Sequence, residues 1–245
     1  MLKERVPAPL RRLARPLRRV LPRSAGGAPR VRRDFESTWN ERPLEYYLDP
    51  DWHERAHFKR SQELIVDFVA RLATTRSAPL TLLDAPCGNG RFYRGLESAG
   101  LLGKVEYTGV DLTPKLVEAS RRLMPGVAIV EGSVEALPFA DGSFEVVVAQ
   151  HIIRHLETFE QAVREFLRVS RSFVIVAEKG AALPGAPDIR DAYWSEADKS
   201  HYWAISWEPN HLKQFARENG AALAFTLNDA RHDDPDGQYV YVFCR

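Results

Sequence analysis

The chain has 245 residues, enough for one α/β domain with a sizeable core and short for two independent ones. Its apolar fraction of 44% and charged fraction of 27% are those of an ordinary globular protein, and no apolar run reaches the length of a membrane span. With two cysteines, Cys87 and Cys244, and a net charge of +1, the sequence excludes a disulfide scaffold and a Cys-rich zinc site and fits a reducing, cytoplasmic setting.

The net charge hides an asymmetry. Residues 1–33 carry eleven Lys and Arg against one acid, Glu4, and the rest of the chain is acidic. A basic, Pro- and Arg-rich tail over 1–33 is therefore set apart from a domain over 34–245. Five prolines oppose one long helix in the tail. Yet Leu10, Leu13, Leu17, Val20 and Leu21 recur at helical spacing, with Arg11, Arg12, Arg15, Arg18 and Arg19 between them. Such a segment is a solvated arm, a peripheral contact for an anionic membrane surface, or a contact for nucleic acid. A secretory signal lacks its apolar stretch, and Ser24 is the only hydroxyl residue available to a transit peptide.

Residues 34–78 read as an N-terminal cover, rich in aromatics and ending in a helix from about Arg55 to Ala73. Over 79–178 short β-rich runs then alternate with helical patterns. The expected strands are Leu80–Asp84, Val105–Asp111, Val127–Glu131, Phe144–Ala149 and Phe173–Ala177. The expected helices are Gly90–Ala99, Pro114–Leu123 and Phe159–Val169. Residues 179–208 form a long insertion. A helix over Pro209–Asn219, ended by Gly220, leads into strands Leu223–Leu227 and Tyr239–Cys244, joined by a turn too short for a crossover. Alternation of this kind predicts an α/β fold, doubly wound, with a mainly parallel seven-stranded sheet and an antiparallel C-terminal strand.

Three segments carry chemistry. Leu82-Leu83-Asp84-Ala85-Pro86-Cys87-Gly88-Asn89-Gly90-Arg91 is a buried strand, a glycine turn and a helix start. Gly88 and Gly90 let backbone approach a ligand, which in open α/β sheets binds at the carboxyl ends of strands. The bland alternative is a structural strand-to-helix turn. Asp111 ends the second strand, 21 residues after Gly90, where a carboxylate accepts ribose hydroxyls or caps a helix. Thr113 before Pro114 is the better cap, which would leave Asp111 freer for ligand. The third segment, Glu131-Gly132-Ser133-Val134 through Leu137-Pro138-Phe139 to Asp141-Gly142-Ser143-Phe144, is a loop able to border a base.

In this order and spacing, the three segments resemble the class I S-adenosylmethionine-dependent methyltransferases of the small-molecule type, densely over about residues 80–178. The resemblance implies a Rossmann-like fold, the cofactor S-adenosylmethionine and no metal. Asp84 would orient the methionine amino group and the loop, Gly88 and Gly90 would line the methionyl portion, and Ala85, Pro86, Arg91 and Leu112 would also bind the cofactor. Asp111 would bind ribose, Ser133-Val134 would border adenine, and Gln150 would stand beside the reacting methyl group. Two positions depart from the family pattern. Pro86 replaces the first glycine, and Ser133 replaces the usual acid.

If the acceptor is a hydroxyl, a base must take its proton, and His151, His155 and His201 are the candidates, each with a structural role as the alternative. Insertion 179–208, with Tyr193, Trp194, Tyr202 and Trp203, reads as an aromatic lid over an acceptor pocket or as a satellite core. Tyr46, Tyr47 and His57 would join that pocket from the cover.

The expected activity is methyl transfer to a small-molecule or glycolipid acceptor, O- or N-directed, in the cytoplasm or peripherally at a membrane. Two alternatives stay open. One is a nucleic-acid methyltransferase using the tail as an electrostatic arm; the other is a non-catalytic scaffold retaining the fold. A NAD-binding Rossmann protein fits the glycine turn poorly, since Gly95 falls too late for that fingerprint.

Overall fold

The computed structural model describes residues 42–48, 56–179, 189–195, 200–228 and 238–245. The basic tail lies outside them. In chain order the elements are α1 (Leu44–Leu48), α2 (Ala56–Thr74), β1 (Leu80–Asp84), α3 (Arg91–Ser98), β2 (Val105–Asp111), α4 (Pro114–Leu123), β3 (Ala128–Glu131) and β4 (Phe144–Gln150). A 3-10 turn (Ile153–His155) follows. Then come α5 (Glu160–Val169), β5 (Ser170–Lys179), β6 (Ile189–Ser195), β7 (Ser200–Ser206), α6 (Pro209–Glu218), β8 (Ala222–Asn228) and β9 (Gln238–Cys244).

Seven strands form one sheet in the order β3-β2-β1-β4-β5-β9-β8. The first five are parallel, and β9 runs antiparallel to both β5 and β8. The order reverses between β1 and β4, and that switch point is where an open α/β sheet leaves a crevice at its carboxyl edge.

Strand alternation sends side chains to two cores. Leu83, Val147, Val174, Val176, Tyr239 and Tyr241 pack under α5 and α6 through Val163, Phe166 and Leu212. Leu82, Val146, Val148, Ile175, Val240 and Val242 pack under α2 and α3 through Ile65, Val69, Phe92 and Leu96. Both faces of the central strands are thus covered, and these strands read as near-continuous apolar runs for that reason. Gly220, at φ 84, takes the left-handed position after α6, as its place beyond that helix predicts.

The long insertion carries two strands that the sequence pattern does not predict. β6 and β7 within it pair antiparallel as a separate two-stranded hairpin.

Candidate functional site

The crevice is built around the end of β1. Asp84 pairs in register with Gly109 of β2 and Val148 of β4. The following turn is strapped to both neighbours: Ala85 N donates to Val148 O at 2.9 Å and Cys87 N to Val110 O at 2.8 Å. The Ala85–Pro86 peptide is cis. Gly88 (φ 52) and Gly90 (φ 83) occupy the left-handed region, where a side chain is strained, and Gly90 is the N-cap of α3. The Ser120 hydroxyl of α4 donates to Gly88 O and closes the turn from below.

Asp111 is 5% exposed at the end of β2. Its Oδ2 accepts from Gly88 N at 3.0 Å and its Oδ1 from Thr113 N at 2.9 Å. This corrects the expectation that Thr113 leaves Asp111 free. Thr113 does hold the N-cap position before Pro114, but its side chain makes no cap bond. Asp111 ties the end of β2 to the glycine turn through Gly88 N and to the residue at the cap position through Thr113 N. Each oxygen retains lone-pair capacity for a diol. Burial pushes the Asp111 carboxyl up to about 6, against the lowering bonds from Thr113 and Gly88.

Asp84 is 1% exposed. The Tyr107 hydroxyl donates to its Oδ2 at 2.7 Å, while Oδ1 has no partner among the described residues. Burial pushes this carboxyl up to about 8, with the Tyr107 bond opposing and the Asp111 charge adding. In the glycine turn, Asn89 donates through Nδ2 to Tyr47 O at 2.8 Å, and its buried Oδ1 is also without a partner among the described residues. Two buried acceptor oxygens lacking a donor suit a ligand that brings several donors, above all an ammonium group.

Around this centre, Leu112 is exposed beyond Asp111, and Arg91 starts α3 half-buried. Ser133 Oγ accepts from Glu135 N at 3.2 Å, and the Val134 side chain is buried in the core. Arg168 of α5 fastens the same loop by donating to Leu137 O, Phe139 O and Asp141. Tyr47 is fully buried against Leu116 and Ala119 of α4, with Tyr46 beside it. Tyr47 thus packs beside the glycine turn, its O taking the bond from Asn89.

The neighbouring strands supply a second cluster. β4 ends at half-buried Gln150, and His151 follows at φ 55, the only left-handed non-glycine among the described residues. Its N donates to Ala177 O at 2.8 Å, and its Nδ1 stands 3.7 Å from Glu178 Oε1. Glu178, 2% exposed near the end of β5, also accepts from Arg154 N at 3.3 Å. Burial pushes the Glu178 carboxyl up, but His151, Arg154 and His155 outweigh it and hold the group below its ordinary value. Tyr239 lies opposite Glu178 on β9, buried, its hydroxyl without a partner among the described residues. Sequence reasoning missed Glu178 and Tyr239. The only signal was a charged residue just past an apolar strand.

His155 closes the 3-10 turn, and Trp207 Nε1 donates to Ile153 O at 2.9 Å. β7 packs against that turn. In its register Tyr193 pairs with Tyr202, Trp194 with His201, and Ala192 with Trp203. The side chains of His57, Tyr193, Trp194, His201, Tyr202 and Trp203 lie outside the described residues. Among the described residues no cluster of metal ligands occurs, and no helix is long and apolar enough to cross a membrane.

Residues 83–175 match the family described as a methyltransferase domain. A malonyl-[acyl-carrier protein] O-methyltransferase of Enterobacter lignolyticus is 27% identical over 149 residues, 61% of this chain and 57% of that protein. A demethylmenaquinone methyltransferase of Chlorobaculum parvum is 35% identical over 91 residues, 36% of this chain and 35% of that protein. The chain thus spans less than two thirds of these relatives' length. Among solved structures, Burkholderia thailandensis 1,6-didemethyltoxoflavin-N1-methyltransferase, with bound S-adenosylhomocysteine, superposes with TM-score 0.60 at 16% identity, covering 91% of this chain and 92% of that one. That likeness is one of fold.

Proposed function

We propose, on the premise that the chain belongs to the class I S-adenosylmethionine-dependent methyltransferases, that it transfers a methyl group to a small-molecule or lipid-linked acceptor. The observation that carries this reading is the pair of donorless buried oxygens, Asp84 Oδ1 and Asn89 Oδ1, beside a glycine turn and a ribose-ready Asp111. They suit the ammonium of the cofactor's methionyl portion. Gly88, where a Cβ would meet nothing, leaves room for that portion, and Leu112 with Ser133-Val134 would border adenine. Arg91 would flank the methionyl portion from the start of α3, and Gln150 would stand beside the methyl group. When bound, the cofactor supplies an activated methyl on a sulfonium, so the protein's task is to align the acceptor and exclude water.

His151 is the base in this reading. It sits at the end of the strand next to β1, and Glu178 beside it is the anion that orients and supports an imidazole taking up a proton. A hydroxyl gives up its proton as it attacks, so the pair suits a hydroxyl acceptor. The curated relatives include a protein named as an O-methyltransferase, and the solved neighbour is named as an N-methyltransferase, so either direction has precedent on this fold.

The test is transfer of label from methyl-tritiated cofactor into a fractionated cell extract. Label in the small-molecule or lipid fraction, on oxygen, is the expected result. Label confined to nucleic acid or protein would contradict the reading.

A further inference from the structure

Asp84 is an odd partner for a cation, because the fold gives its carboxyl almost nothing that favours ionisation. It is 1% exposed, accepts one hydrogen bond, from Tyr107, and has no cation paired with it among the described residues. The groups facing it add to the difficulty. Asp111 at the end of β2 is a second buried acid, and Cys87 in the turn is a buried thiol. From α3, the Tyr93 ring packs on Tyr107 at 5.2 Å, and Arg94 is engaged by Asn89 O at 2.9 Å. A lone buried carboxylate with one donor is costly, and taking up a proton relieves that cost.

We propose that Asp84 is a neutral acid in the free protein, positioned by Tyr107, and that capture of the cofactor's ammonium expels its proton to solvent. The inference rests on the cofactor reading above. Tyr107 donates to Oδ2 and thereby assigns the proton to Oδ1, the oxygen left without a partner. The ligand arrives as R–NH3+, the O–H bond of Asp84 breaks heterolytically, and the electron pair stays on oxygen. The proton leaves to buffer and an ion pair remains. Charge and atoms balance without another reactant. The elevation of the Asp84 carboxyl to about 8 by burial agrees with this assignment. Tyr107 acts through Asp84 and is a positioning residue.

Three consequences separate this from a merely structural Tyr107–Asp84 contact. Binding of a ligand with the ammonium releases close to one proton near neutral pH, where an α-amino group with a pKa of about 8 is itself still charged. Binding strengthens as pH rises from about 6 toward 7.5, because less free energy goes into removing the proton. A nucleoside lacking the amino-acid portion binds without that release.

The experiment is calorimetric titration of the full chain with S-adenosylhomocysteine at about pH 7 in phosphate and in Tris, whose ionisation heats differ. 5′-Methylthioadenosine serves as the ligand without an ammonium. Release of at least about half a proton with the first ligand, and clearly less with the second, supports the proposal. A smaller release with S-adenosylhomocysteine, or equal release with both, overturns it. Tyr107→Phe should keep the proton release and weaken S-adenosylhomocysteine binding roughly tenfold, as loss of a bond to a charged group does. Unchanged affinity in folded Tyr107→Phe removes Tyr107 from the assignment. Binding without proton release sinks this inference alone, whereas no binding sinks the cofactor reading with it.

Discussion

The imidazole of His151 faces the buried carboxylate of Glu178, Nδ1 3.7 Å from Oε1, at the carboxyl ends of two adjacent parallel strands. The left-handed backbone at His151 is stabilised where its N donates to Ala177 O, so the fold fixes the residue in a conformation that costs free energy. Glu178→Gln keeps the shape and removes the anion. Turnover should fall roughly tenfold or more, as for a general base losing its support, while S-adenosylhomocysteine affinity stays unchanged. Steady-state rates on the acceptor used by the wild type, with calorimetry alongside, check this. Equal turnover would show that the carboxylate serves packing only.

Asp84 also makes stability depend on pH. Unfolded, its carboxyl titrates at the ordinary value of 3.8, and folded it titrates at about 8. Between those values the folded protein keeps a proton that the unfolded chain has shed. The contribution is therefore full below the unfolded value and is lost as pH rises through the folded one. Asp84→Asn abolishes the titration. In the cofactor-free protein, melting temperature of the variant relative to wild type should climb between about pH 5 and pH 8. A flat difference across that window would mean that Asp84 is ionised in the fold.

Much of the fold is legible because its strands are buried on both faces. Val105–Asp111 and Pro114–Leu123 have the same bounds in sequence and structure, one a β-branched run ending in an acid, the other a Pro-started amphipathic helix. β5 is longer than its apolar Phe173–Ala177 centre, since Ser170, Arg171, Ser172, Glu178 and Lys179 carry the strand through backbone pairing without an apolar signal. Glu178 was hidden for that reason. The hairpin β6–β7 was hidden because Arg190, Asp191, Ser200 and His201 interrupt the apolar alternation that marks a strand. At the site, the glycine turn and Asp111 were readable from spacing. The Tyr107 bond to Asp84 was not, because a tyrosine in a strand reads first as β-propensity.

Gly109 shows how closely the turn is packed on β2. A Cβ there would lie 2.9 Å from Cys87 Cβ, Cys87 Sγ and Ile129 Cδ1. Gly109→Ala should destabilise the protein by about 1–3 kcal/mol, the usual cost of overpacking, and weaken S-adenosylhomocysteine binding by displacing the turn. Urea unfolding measures the first effect and calorimetry the second. Wild-type values for both would mean that the turn yields without cost.

The tail, with eleven Lys and Arg over residues 1–33, is proposed to hold the protein at anionic surfaces. Deleting it should abolish salt-sensitive sedimentation with phosphatidylserine-containing vesicles and leave S-adenosylhomocysteine affinity unchanged. Retained sedimentation would assign that contact to the domain. Loss of RNA binding, with no vesicle binding by the full chain, would favour the nucleic-acid alternative.

Calorimetric binding of S-adenosylmethionine and S-adenosylhomocysteine, beside NAD, tests the central claim most directly. The account predicts micromolar binding of both sulfur nucleotides and none of NAD. It also predicts that Asp111→Ala weakens binding at least about tenfold by removing the carboxylate that joins the ribose site to Gly88 and Thr113. Well-folded protein that binds neither sulfur nucleotide, or binds NAD in their place, would contradict it.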